Sequence, residues 1–161
     1  MNGLSLWSSF FSAEVSASAT LTGLIFVALS INLGKILGFR GLAGRAAEAL
    51  GLLLGVLLVG SFGLIPNQSA LTFGSEVFAV GALLWLSSTL LHTLQIRWKH
   101  PWKWLGYRMV LTQCATLSFC VAGLAIMKSY PRGLYWLVPG CIFSFLASLT
   151  TAWVLLVEIV R

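Results

Sequence analysis

Five long apolar stretches, separated by short polar ones, set the pattern of this chain. They fall at about residues 8–33, 47–65, 76–95, 106–127 and 134–159. Each is close to the ~20 residues that an α-helix needs to cross ~30 Å of hydrocarbon. Strands of a membrane barrel would be ~10 residues long with alternating polarity, and no such pattern occurs. The sequence therefore reads as an all-α integral membrane protein, a bundle of five transmembrane helices in a single domain over residues 1–161.

The gaps carry turn and cap signals. Residues 34–46 form a basic connector with Lys35, Arg40 and Arg45. Pro66-Asn67-Gln68-Ser69 is a turn. Ser75 is the expected N-cap of the third helix, with Glu76 at its positive end. The most polar stretch is 96–104, and residues 128–133 turn around Pro131. Pro139 is a candidate kink in the fifth helix.

Composition agrees. The chain is 58% hydrophobic and 9% charged, against roughly 25% charged for a soluble domain. Such a chain cannot coat itself with polar surface. The formal charge of +6 does not point to nucleic acid, because the basic residues lie in the gaps, where membrane topology accounts for them. Cys114, Cys120 and Cys141 lie in apolar runs without a Cys-x-x-Cys pair, so buried inert thiols are expected. The N-terminus lacks the basic segment of a cleavable signal.

Placing the first connector in the cytoplasm puts eight basic residues inside (Lys35, Arg40, Arg45, Arg97, Lys99, Lys103, Arg108 and Arg161) and two, Lys128 and Arg132, outside. The positive-inside rule then gives an outer N-terminus and a cytoplasmic C-terminus. A re-entrant first segment would instead leave four spans.

At 100° per residue the first helix has two faces. Ser12, Ser16, Thr20, Gly23, Val27, Ser30 and Gly34 form a small-residue face of the kind that lets helices approach closely in lipid. Glu14, Ser18, Leu21, Thr22, Ile25, Leu29 and Asn32 form the other face, polar at its ends and aliphatic between. Glu14 and Asn32 are five turns apart, roughly 27 Å. Small-residue ridges recur at Ala47, Gly51, Gly55, Val59 and Gly63, and at Gly140, Ser144, Ser148 and Ala152. Thr112, Thr116 and Cys120 continue the style in the fourth helix.

A carboxylate inside a span is costly and marks a candidate functional site. Glu14 therefore leads, with two readings: a structural carboxyl bonded to hydroxyls or paired with Lys128 or Arg132, or part of an ion path. Glu76 favours a helix-start role. Glu48 and Glu158 read as interfacial partners of Arg45 or Arg161. Gln113 is expected to bond between helices. His92 and His100 lack a third ligand at metal spacing, so no metal and no other cofactor is assigned. Trp98, Lys99, Trp102, Lys103 and Trp104 read as an interfacial belt, with an anionic-lipid site as the alternative. No Ser-His-acid constellation, His-Glu-x-x-His pattern or phosphate-cradling loop occurs, so no enzymatic activity is expected.

The run from Ala13 to Leu33 resembles the first helix of a group of small bacterial inner-membrane proteins. Arg45 to Leu50, Pro66-Asn67-Gln68 and Gly74-Ser75-Glu76 are similar too, so the resemblance covers about residues 8–80. Members are generally labelled uncharacterised, and some carry a label linking them to modulation of a membrane protease. The resemblance implies a bacterial plasma membrane and assigns no activity.

Together these features favour a homo-oligomeric channel or transporter-like protein for protons or cations. Glu14 and Glu76 would form an acidic outer site, and Ser18, Thr22 and Asn32 would line the path. The alternative is a non-enzymatic interaction or regulatory subunit of a membrane complex, docking on another membrane protein through its small-residue ridges. Membrane lipids are expected partners and nucleic acid is not.

Overall fold

The computed structural model describes residues 3–38, 41–97, 102–130 and 132–158. A short helix, α1 (Gly3–Leu6), leads into α2 (Ser8–Gly38), followed by α3 (Leu42–Gly63), α4 (Ala70–Arg97) and α5 (Trp102–Met127). A 3₁₀ turn (Gly133–Trp136) opens α6 (Leu137–Trp153), which ends in a π turn (Val154–Glu158). The protein is a polytopic all-α membrane protein with five helices long and apolar enough to span a bilayer. In hydrocarbon the backbone has no water to bond, so apolar runs of this length become helices.

Helix α3 sits at the centre and packs against α2, α4 and α6, while α5 packs against α4 and α6. The difference shows in burial: 56% of the α3 span is buried and only 17% of the α2 span. The shared core is filled by Phe11, Val56, Phe73, Val77, Phe119 and Leu137, each 0–1% exposed. Phe11 meets Phe73 edge-on at 5.7 Å.

Three side chains tie the helices through backbone carbonyls. Ser18 of α2 donates to Leu53 O at 2.5 Å, and Ser148 of α6 donates to Ala49 O at 3.1 Å. Asn32 donates from Nδ2 to Leu155 O in the π turn at 3.0 Å. Asn32 is also where α2 kinks, with φ −111° and ψ 16°. Helices α4 and α5 approach closest of all. A Cβ added to Gly123 would lie 2.6 Å from Phe78 N, and one added to Gly81 would lie 2.8 Å from Cys120 N.

Several expected boundaries move. Helix α4 begins at Ala70, six residues before position 76. Its cap is Ser69, not Ser75: Thr72 N donates to Ser69 Oγ at 3.0 Å, while Ser75 lies inside the helix and donates to Thr72 O. Ala70-Leu71-Thr72-Phe73 is apolar enough to extend the helix, which carries Glu76 beyond the first turn. Most of the basic connector is helical as well, since α2 runs to Gly38 and α3 starts at Leu42 after Gly41, whose φ is 96°. Pro139 falls in the first turn of α6, where its missing N–H removes no helix bond.

Candidate functional site

Three ionisable side chains from three different spans converge at one place. Glu48 on α3, His92 and Gln95 on α4, and Arg108 and Thr112 on α5 meet between the three helices. His92 and Gln95 share a face at i, i+3, and Arg108 and Thr112 at i, i+4. All but Arg108 are buried, with Glu48 7% and His92 1% exposed.

The Arg108 guanidinium donates from Nη2 to Glu48 Oε2 in a short ion pair and from Nη1 to Gln95 Oε1 at 3.3 Å. His92 Nε2 lies 2.8 Å from Glu48 Oε1, at ion-pair distance but out of line for a hydrogen bond. The hydroxyl of Thr112 completes the carboxylate's surroundings. His92 Nδ1 and Gln95 Nε2 are buried without a hydrogen-bonding partner. Glu48, Arg108, Thr112, Ala147 and Thr151 line a crevice too narrow to hold a water molecule.

The chemistry follows from this set. Arg108 carries a fixed charge and cannot give up a proton, whereas carboxylate and imidazole can both exchange one. With neutral imidazole the cluster of Glu48, Arg108 and His92 has no net charge; one added proton makes it +1. In a dry interior that change is felt strongly, because neither water nor counterions screen it.

The interfacial pairing expected for Glu48 with Arg45 or Arg161 is corrected here: the carboxylate turns into the bundle and pairs with Arg108. Glu48 lies six residues from the start of α3, where a side chain on the bundle face points between helices. One signal in the sequence could have revealed the cluster. Glu48 is six residues into α3, His92 five from the end of α4 and Arg108 six into α5. With alternating helix directions all three lie ~8–9 Å from the same end of the bundle.

The residues expected to line a path are placed differently. Glu14 is half-buried near the opposite end, its carboxyl beside the Cys141 thiol and its Oε2 buried without a hydrogen-bonding partner. Among the described residues, neither Lys128 nor Arg132 pairs with it. Ser18 is fully buried on Leu53 O, and Thr22 donates back to Ser18 O at 2.8 Å. Asn32 is 7% exposed and held by Leu155 O. Glu76 accepts from Gln68 Nε2 at 2.5 Å. Thus the Glu14–Asn32 face looks into its own bundle.

Gln113 bonds between helices, to Thr89 Oγ1 at 3.2 Å. Trp98, Lys99 and His100 lie outside the described residues. Trp102, Lys103 and Trp104 belong to the first turn of α5, and their side chains are likewise outside the described set. Among the described residues no three of His, Cys, Asp and Glu converge as a metal site would require.

The small-residue faces divide. Gly140, Ser144, Ser148 and Ala152 of α6 are all buried. On α2, Ser12, Ser16, Thr20, Gly23, Val27, Ser30 and Gly34 are all exposed. Ser16, Thr20 and Ser30 satisfy their hydroxyls on carbonyls one turn back.

No family model, curated protein or solved structure matches the chain.

Proposed function

We propose that the protein is a small non-enzymatic transporter-like membrane protein whose working group is the Glu48–His92–Arg108 cluster, loaded by a proton. The observation that supports this is the convergence of three ionisable side chains from three helices, with Glu48 and Arg108 lining a crevice too narrow to hold a water molecule. Ionisable groups are expensive in a bilayer and commonly mark ion paths and proton relays. A proton fits better than a metal cation, because Arg108 already occupies one carboxylate oxygen. The acidic group thus moves from Glu14 and Glu76 to the other end of the bundle.

The tight packing implies a closed conformation. A route from Glu14 to Glu48 along α2 would require Ser18 to release Leu53 O, so transport demands a second state in which α2 parts from α3. The test is proton flux into liposomes carrying a pH gradient. Wild-type protein should acidify the lumen faster than empty vesicles, and His92→Gln should slow it at least tenfold. Flux equal to empty vesicles, or flux unchanged by His92→Gln, rejects the reading.

A second reading is favoured by α2. Its exposed Ser/Thr/Gly face suits close docking of another helix, from a second copy or from another membrane protein, as in an interaction or regulatory subunit. Under mild detergent this reading requires a homo-oligomer or a stoichiometric partner that Gly23→Ile releases. The outer N-terminus, cytoplasmic C-terminus and bacterial inner membrane are part of the same proposal, testable with reporter fusions at the two ends.

A further inference from the structure

The first turn of α3 lies over one edge of the cluster. Gly44 in that turn sits against α4: a Cβ added there would meet Leu91 Cδ2 at 3.7 Å and Gln95 Nε2 at 3.8 Å. Gln95 is close to the end of α4, and His92 stands one turn deeper. Their Nε2 and Nδ1 atoms have no hydrogen-bonding partner, although the two residues are only 3% and 1% exposed. A polar group buried without a partner is costly, and most are satisfied by protein or by water. Water can donate to one of these atoms and accept from another, so both would be satisfied if it reached them.

What holds that turn down is the C-terminal arm of α2, residues 33–38. Ile36 of the arm packs on Ala46 of α3 and on Leu155 of the π turn, with Leu42 beside them. Before the arm, a separate apolar cluster forms around Ile25, Ala49, Leu53 and Ala152. Asn32 stands between these two packed units, at the point where the α2 backbone leaves helical geometry. Its amide reaches across to Leu155 O at 3.0 Å, which ties the kink to the π turn of α6. Helix irregularities of this kind often coincide with functional movement. A recess of about 380 Å³, lined by Leu33, Ile36, Ala43 and Ala47 among others, lies between the arm and α3. The arm is therefore not packed against α3 along its whole length.

We propose that the α2 arm and the first turn of α3 form a lid over Gln95 and His92, hinged at Asn32 and latched by its bond to Leu155 O. The inference rests on the proton-loading reading of the cluster and names the point of entry. When the latch opens, Ile36 leaves Ala46, residues 42–45 lift from α4, and water reaches Gln95 Nε2 and His92 Nδ1. The proton then arrives at His92 from this end of the bundle, without passage along α2 from Glu14. One hydrogen bond between helices in a membrane shifts an equilibrium by roughly three- to fifteen-fold, so loss of the latch raises the open fraction by about that factor.

Acylation of His92 by diethyl pyrocarbonate, read by mass spectrometry on protein in liposomes, reports how often the lid is open. Asn32→Leu removes the latch donor and should speed acylation by roughly three- to fifteen-fold. Ser18→Ala cuts the tether of α2 to Leu53 O on the other side of the hinge and should leave the rate unchanged. Maleimide labelling of Cys141, 3% exposed near the Glu14 end, separates lid opening from unfolding and should stay as slow as in the wild type. If Asn32→Leu exposes Cys141, Ile36→Ala is read in its place; it loosens the arm on Ala46, keeps the latch, and should speed acylation too. An unchanged rate in a variant that keeps Cys141 protected overturns the lid, as does equal acceleration by Ser18→Ala. Exposure of Cys141 in both arm variants also overturns it, because the arm would then belong to the core. Proton flux in a protein that fails these tests removes the lid and leaves the cluster reading standing; accelerated acylation without flux does the reverse.

Discussion

Replacing Glu48 tests the buried cluster most sharply. Glu48→Gln keeps the side chain's size and one acceptor oxygen but removes its charge. The Arg108 guanidinium, whose side chain is 12% exposed, then loses its counter-charge in a crevice too narrow to hold a water molecule. Breaking one half of a buried ion pair typically costs ~3–5 kcal/mol, because the remaining charge stays desolvated. The amide introduced by Glu48→Gln can still accept a hydrogen bond from Arg108, so the lower end, about 3 kcal/mol, is expected. Arg108→Met should cost a similar amount for the mirror reason. The double variant Glu48→Gln/Arg108→Met removes both charges and should be more stable than the sum of the single effects by ~2 kcal/mol or more. Unfolding in mixed micelles can be followed by the fluorescence of the seven tryptophans. If Glu48→Gln costs less than ~1 kcal/mol, or the two effects add within ~0.5 kcal/mol, the pair is not desolvated as described.

Three further outcomes follow from the packing. Gly123→Ala would drive a Cβ to 2.6 Å from Phe78 N and should destabilise by ~1–3 kcal/mol in the same assay, whereas Gly23→Ala, with nothing within 4 Å, should be neutral or slightly stabilising. Ser69→Ala removes the cap of α4 and should cost ~1 kcal/mol. Gly23→Ile should leave the unfolding of the protomer unchanged; under the docking reading it should also shift the molecular mass in detergent to that of a monomer by light scattering.

The spans were legible because hydrocarbon imposes a length and a polarity that few other structures share. The ridges on α6 were legible for a related reason: Gly140, Ser144, Ser148 and Ala152 repeat every fourth residue and are buried together. What the sequence concealed is pairwise. Gly81, which faces Cys120, and Gly123, which faces Phe78, belong to no ridge, so these close approaches appear only when α4 and α5 are laid together. Glu48 looked interfacial because it stands three residues from Arg45; its true partner, Arg108, is sixty residues away and depends on a shared depth. The start of α4 was misplaced because Ser75 and Glu76 make a persuasive helix start. The quieter Ser69 and Thr72 pair, a few residues earlier, is what closes the helix end. The two faces of α2 were separable by angle, but nothing in the angle said which one meets the bundle. Ser18, Ile25 and Asn32 do, and the small-residue face is left outside.

The most direct measurement is the current that a pH step drives across proteoliposomes adsorbed on a solid-supported electrode. Proton loading at the Glu48–His92–Arg108 cluster predicts a transient for the wild type that persists in Glu14→Gln and disappears in His92→Gln. A current lost in Glu14→Gln but retained in His92→Gln would contradict the account and return the working group to the Glu14 end of the first span.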